Sequence, residues 1–354
     1  MQVDVLGAGD FADVRADWDR LAGADPSATP FLSTAWVAAW LDHWEPRGEV
    51  WILRVTDAGV VRGIVPLAMH RRSGARVLGM LGKEPGDYWD VLAADDDRPA
   101  VATAAALELA RRGHAWDLGV MSCMQPGSPT PGALAAGGLR VLHRRPVPSP
   151  RIVLPGDFDA YLQGLPPKHR SNLRKHLRRL DGGEVERRIV TEATDIRATM
   201  ERWRELRRRR WDAATRDITP EHEQDSFNRF MTAAASAMVP AGSATLWEFL
   251  HGGVVAGVYL NFQDERSFYW YLGGFDPDLA QLGLGKIAIG AAIRESIAAG
   301  RATFDFTRGA DRYKYWYGAT DAPLPSLVVG HHGARSRAAV AGARAVLARR
   351  GDEG

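Results

Sequence analysis

The sequence passes through one order of elements twice, and that duplication restricts the folds open to it. Residues 59–64 read GVVRGI and residues 253–258 read GVVAGV. Each is preceded by a run carrying a tryptophan, Trp51 or Trp247, and followed by another strand-like run, so each reads as a β-hairpin. Beyond the first hairpin, AVATAAALELARRG is helical by pattern, closes at Gly113 and leads into HAWDLGVM. Beyond the second, KIAIGAAIRESIAAG closes at Gly300 and leads into RATFDFTRG. A glycine just past the last helical residue tolerates the conformation that ends a helix. In both halves the strand that follows bears an aromatic residue next to Asp. Hairpin, strand, helix, strand, given twice, predicts two α/β domains of one kind, each a mixed sheet flanked by helices.

A chain of 354 residues has room for two such domains, and its 45% apolar and 25% charged content is that of a globular protein. The segment RRPVPSPR, residues 144–151, interrupts the apolar periodicity with three prolines and marks the boundary. The expected division is 1–145, 151–330 and a basic tail at 333–354. Within the second domain, residues 156–240 read as a helical, arginine-rich insertion. Leu173, Leu177 and Leu180 form one stripe there, Arg170, Arg174 and Arg178 another, and a second helix carries Ile196, Met200, Trp203 and Leu206. Residues 166–210 hold 15 Lys or Arg against 7 Asp or Glu. The whole chain has a net charge of only +2, so any basic site is local and no global field favours DNA. Cys123 is the only cysteine, which excludes a disulfide framework and a multi-thiolate metal site. The N-terminus has neither a basic region nor an apolar run, and no segment offers 18 uninterrupted apolar residues, so a cytoplasmic protein without a membrane span is expected.

Several stretches carry chemistry-bearing residues. VDVLGAGDFA fits G-x-G-x-x-A after a strand, but the second strand and acidic residue of a dinucleotide fold do not follow; a turn and helix start, with Asp10 as a cap, is the expectation. In SFYWYLGGFDPDLAQLGLGKIAIGAAI, residues 267–293, an aromatic strand containing Tyr271 leads into a loop with Gly283 and Gly285 and then a helix. Amide groups at such a helix start can hold a phosphate, with Gln281 and Lys286 assisting, or the glycines can simply close a turn. TFDFTRGADRYKYWYG, residues 303–318, sets Asp305, Arg308 and Lys314 among aromatics, where charges must be paired or used. GDYWDVL, residues 86–92, offers Tyr88 and Asp90 as acceptor-cleft residues, or a strand end. The histidines show no ligand spacing, so no metal is expected, and no G-x-S-x-G elbow is present.

Taken in order, FLSTAWVAAWLDHW (31–44), PLAMHRR (66–72), GDYWDVL, PPKHRSNLRKHLRRL (166–180) and DFTRGADRYKYWYG (305–318) resemble the CelD-type GNAT-family N-acetyltransferases, relatives of the FemABX peptidyltransferases. The resemblance extends over most of the chain and implies tandem GNAT-like domains with the catalytic one C-terminal. It also implies transfer of an acyl group from acyl-CoA to an amine acceptor, a small molecule or glycan precursor. In that family the strand before the glycine loop receives the pantetheine arm and the loop takes the pyrophosphate, which implies Tyr271, Gln281, Gly283, Gly285 and Lys286 as cofactor residues. The loop departs from the family pattern Q/R-x-x-G-x-G/A, since Ala280 holds its first position and Gln281 lies one place late. Tyr313 stands where such enzymes place a general acid. Lys314 is the expected partner of the tetrahedral oxyanion or of a substrate carboxylate, and Asp305 and Arg308 are expected to frame the pocket, pairing with each other. The basic helix is a solvated face, a site for a phosphate-bearing substrate through Arg170 and Arg174, or a tRNA surface, and RELRRRRW (204–211) is the best stretch for either polyanion. Alternatives to acyl-CoA transfer are an aminoacyl-tRNA-dependent transferase acting on a cell-wall or nucleotide-linked precursor, and a binding protein for nucleotide-sugar or glycan precursors.

Overall fold

The computed structural model describes residues 1–44, 48–82, 85–212 and 225–351, without the side chains of 210–212 and 349–351. The chain folds as α/β, in two units that each hold a mixed sheet flanked by helices. Unit 1 is Met1–Val147 with Pro323–Gly354, and unit 2 is Pro148–Ala322. Strands β1 (Gln2–Leu6), β2 (Glu49–Asp57), β3 (Val60–Arg72) and β4 (Ala75–Met80) pair in an antiparallel meander. The β2–β3 turn is Ala58-Gly59, with φ of 48° and 80°, and the β3–β4 turn is Ser73-Gly74, with 49° and 79°. Positive φ at both turn residues makes each a type I′ turn, whose twist matches that of the flanking strands. Helices α1 (Phe11–Ala24) and α2 (Thr34–His43) lie between β1 and β2 in sequence. Because β1 runs antiparallel to β2, VDVLGAGDFA opens no parallel βαβ crossover of the dinucleotide kind. After β4 come the short β5 (Leu92–Ala93), α3 (Arg98–Arg111) and β6 (Leu118–Met121), which is parallel to β4. Then follow α4 (Thr130–Ala136) and β7 (Arg140–Val147).

Unit 2 opens with β8 (Pro150–Val153), so the proline-rich segment contributes to a strand in each unit. Pro146 sits in β7, which ends its sheet, and Pro150 begins β8; edges and first residues are where strands tolerate proline. Helices α5 (Phe158–Gly164) and α6 (Pro167–Asp181) precede β9 (Glu186–Val190), and α7 (Ala193–Asp212) and α8 (Asp225–Met238) precede β10 (Ala244–His251). β9 pairs with β10 at the sheet edge, so residues 156–240 belong to the sheet and its covering layers and are not a wholly helical insertion. Across the Gly252-Gly253 turn, φ 59° and 78°, β10 meets β11 (Val254–Gln263), which pairs with β12 (Ser267–Phe275). Helix α9 (Leu284–Ala298), β13 (Thr303–Asp305), α10 (Arg312–Tyr315) and β14 (Thr320–Asp321) complete the unit. The sheet order is β14-β8-β13-β12-β11-β10-β9, with only β12 and β13 parallel.

The expected repeat is present: β2-β3-β4-α3-β6 and β10-β11-β12-α9-β13 share order and pairing sense. The last residues depart from expectation. β15 (Leu324–Gly330) enters the first sheet between β6 and β7, and α11 (Ala334–Gly351) packs on β15, where Gly330 approaches Val340 and Ser336. The second domain therefore ends at Ala322 instead of 330, and the described part of the basic tail is a helix of unit 1. In unit 2 the apolar stripes behave as read. Leu173 and Leu177 of α6 are buried against α9, whose Gly290 has no room for a side chain beside Leu173, and Ile196, Met200, Trp203 and Leu206 of α7 are buried.

Candidate functional site

Strands β12 and β13 are paired over three positions only, ending at Tyr269 opposite Asp305, while β12 runs on to Phe275 against β11. The sheet splits there. A cleft of about 450 Å³ opens at the split, lined by β12 through Tyr271, Gly273 and Phe275 and by the start of α9 through Gly283, Gly285 and Lys286. Its remaining wall is Tyr313 on α10 with Trp316 and Tyr317 just after it. The floor depends on a glycine. The Tyr259 ring of β11 lies across Gly273, where a Cβ would fall 2.6 Å from ring carbons, and it meets Trp270 at 5.2 Å between centroids. Gly283 is left-handed, φ 71°, and starts α9 with no side-chain cap. The first amides of a helix have no intrahelical acceptor, and here that first turn borders the cleft.

Five predicted residues thus meet in one place: Tyr271, Gly283, Gly285, Lys286 and Tyr313. The others do not line it. Gln281 is exposed, and its carbonyl accepts from Arg179 Nη1 at 2.9 Å. Lys314 is a correction. Only 3% exposed, its ammonium donates to the carbonyls of Arg308 (2.9 Å) and Gly309 (3.0 Å) and pairs with Asp311 at 3.4 Å, so it fastens the loop before α10 and is not aimed at an oxyanion. Asp305 pairs with Arg151 of β8 at 3.4 Å and accepts from the Thr307 amide at 2.7 Å. That bond holds Thr307 at φ 56°, a strained setting for a β-branched residue, and Thr307 Oγ1 reaches within 3.4 Å of the Trp270 carbonyl across the split. Arg308 is half-buried, with its carbonyl on Lys314.

The basic stretch is divided. Arg188 and Arg202 hold the buried Glu248, Arg209 holds Asp276 and Asp278, and Arg187 pairs with Glu295 while lying over Trp247. In RELRRRRW, the side chains of Arg210 and Trp211 lie outside the described residues. On α6, Arg174 is exposed and Arg170 half-buried, and neither lines the cleft. Sequence reasoning missed Tyr259, Trp270 and Gly273, whose only local signal is the aromatic and glycine-rich character of their strands.

The corresponding split in unit 1 is filled by its own chain. β4 and β6 pair only at Val77–Leu118 and Leu78–Gly119, and beyond that Trp89 bridges Met124, its amide donating to the Cys123 carbonyl and its indole to the Pro66 carbonyl at 2.8 Å. Tyr88 and Asp90 are thereby buried, at 3% and 0% exposure, so neither lines an acceptor cleft. Asp90 instead meets Arg98 (2.5 Å), Ser128 and Thr130, while Arg98 also pairs with Asp25. Burial raises the Asp90 carboxyl above its ordinary value against the pull of Arg98. The described residues contain no group of His, Cys, Asp and Glu that could hold a metal, and no described helix is long and apolar enough to cross a membrane.

Among solved structures, FemX superimposes at a TM-score of 0.63 with 12% identity, over 92% of this chain and 97% of that one. L-PGS from Bacillus licheniformis does so at 0.57 with 9% identity, over 89% and 91%. At such identities the likeness is one of fold. A search of curated protein sequences finds no match. Residues 167–315, α6 through α10, match the family model described as an acetyltransferase (GNAT) domain, and most of the cleft lining falls within that stretch.

Proposed function

We propose that the cleft of unit 2 holds an acyl donor and that the protein is an N-acyltransferase, moving an acyl group from acyl-CoA to an amine, as the CelD-type resemblance implies. The observation that carries this reading is the meeting of the glycine-started helix, the splayed strand and Tyr313 around one volume of about 450 Å³. In the mechanism, the thioester lies along β12 and the α9 start and Lys286 take its phosphates. The amine lone pair attacks the carbonyl carbon, β12 amides released from β13 steady the oxyanion, and Tyr313 protonates the departing thiolate. The acceptor is a small molecule or glycan precursor. Unit 1, its split closed by Trp89, is assigned no donor.

Titration calorimetry with acetyl-CoA and longer acyl-CoAs tests this. A Cβ at Gly285 would meet only Tyr259 Oη, at 3.7 Å, so Gly285→Glu projects a carboxylate into the cleft without disturbing the backbone. Binding to the wild type that Gly285→Glu abolishes at unchanged melting temperature supports the reading; no binding of any acyl-CoA overturns it. A second reading, aminoacyl-tRNA as donor, is favoured by the α6 surface, where no carboxylate pairs with Lys168, Arg170, Arg174, Lys175 or Arg178 among the described residues. Charged-tRNA binding that weakens steeply between two salt concentrations, without acyl-CoA binding, would select it.

A further inference from the structure

An amine that attacks an acyl carbon has to lose a proton, and among the described residues the lining of the cleft carries neither carboxylate nor imidazole. Lys286, Trp316 and Tyr317 also line a second, small cavity of about 20 Å³, whose walls add His169, Asn172 and His176. That volume suits one water molecule, and the walls supply polar partners for it. His176, on α6, is 7% exposed and its Nδ1 has no hydrogen-bond partner among the described residues. Its ring rests against Gly283, where a Cβ would fall 2.5 Å from Cε1 and 2.8 Å from Nδ1, and Gly283 lines the cleft itself. A buried polar atom left unpaired costs stability and points to a use.

We propose that His176 is the proton acceptor of the cleft, receiving through a water in the small cavity the proton that the acceptor amine gives up. The inference rests on the acyl-transfer reading above. As the N–C bond forms and the C–S bond breaks, the electron pair leaves on sulfur, which takes the Tyr313 proton. The surplus proton on nitrogen passes to the water, and the water gives one of its own to Nδ1. Return of that proton to the Tyr313 phenolate by way of solvent restores both groups, so that thioester and amine yield amide and thiol. Burial, reinforced by the charges of Lys286 on α9 and of Arg179 and Lys175 on α6 and opposed by the Leu282 carbonyl, holds the imidazole below its ordinary value. It is neutral near pH 7 and can accept. His169 and Tyr317 are the other titratable groups on the cavity wall.

The test is thiol release from acetyl-CoA with a panel of primary amines between pH 5 and 9, for wild type, His176→Gln and Asn172→Leu. The wild-type kcat/KM is expected to rise with pH through a midpoint below the usual imidazole value. His176→Gln should lower kcat roughly 100-fold or more and remove that limb, with acetyl-CoA affinity and melting temperature retained. Asn172→Leu, which replaces a polar group of the cavity wall by an apolar one and leaves the imidazole in place, should reproduce the loss of rate. Wild-type rate and pH profile in His176→Gln overturn the inference. So does a wild-type rate in Asn172→Leu, which decides the matter if His176→Gln fails to fold. A wild type that turns over no acyl-CoA with any amine instead removes the acyl-transfer reading, and the inference with it.

Discussion

Lys314 shows how a charge can sit among aromatics without touching a substrate. Its ammonium gathers two carbonyls of the loop that the strained Thr307 begins, and Asp305 holds the amide of that same residue. Lys314→Met would leave those carbonyls buried without a donor, so a loss of about 1–3 kcal/mol in urea unfolding is expected. Tyr313→Phe should change stability far less while reducing turnover; equal stability losses in the two variants would contradict the division of roles. Asp117 of unit 1 makes the same point for pH. Arg76 donates to it from the guanidinium at 3.0 Å and from the backbone at 2.9 Å, and this holds its carboxyl down to about 2 from the ordinary 3.8. A depressed carboxyl stabilises the fold above its unfolded value and loses that contribution as pH falls through the folded one. About 2 kcal/mol should therefore disappear between roughly pH 4 and pH 2, and Asp117→Asn should remove that part of the acid dependence. Residue types in TFDFTRGADRYKYWYG were enough to say that its charges had to be paired. Two of their contacts were not legible, because Arg151 reaches Asp305 from more than 150 positions away and Lys314 binds carbonyls, which every residue has.

At the level of elements, the hairpins were legible because a two-residue type I′ turn has a local chemistry. Gly252-Gly253 meets it freely, but Ala58 at φ 48° carries a Cβ in the left-handed region. Nothing lies within 4 Å of where a Cβ at the following Gly59 would stand, so the turn is open. Ala58→Gly or Ala58→Asn should raise stability by ~0.5–1 kcal/mol, read as a higher urea midpoint at unchanged slope. The contact between α6 and α9 was half legible. The leucine stripe announced a buried face, but not that Gly283 and Gly290 are the positions where α6 comes closest. That contact sets His176 beside the cleft, so Gly290→Val, whose side chain would meet Leu173 and Leu177, should both destabilise unit 2 and weaken binding in the cleft. β9 was misread because ERRIV has no strand alternation of its own; it is a strand through its pairing with β10.

Across the whole molecule, the duplication was readable from order and spacing, but the return of the chain was not. LPSLVVG follows β14 directly, and nothing in its composition says which sheet it joins. In the fold it is an interior strand of unit 1, paired with β6 on one side and β7 on the other, with Leu324, Leu327, Val328 and Val329 at 0–3% exposure. Burial of four such aliphatic side chains stabilises by roughly 6–12 kcal/mol, as much as the whole stability of a typical domain. Removing β15 would also expose the ladder edge of β6 and detach β7, leaving two unpaired edges prone to association. A chain ending at Ala322 should therefore lose the cooperative unfolding of unit 1 and aggregate, although every residue of the cleft is still encoded. A chain ending at His332 lacks only α11, in which Ser336 and Val340 are the buried residues among those described, and should keep that transition at a modestly lower melting temperature. Calorimetric scans of the two truncations decide the point: a normal unit 1 transition in the shorter chain would show that β15 is dispensable to the sheet it completes.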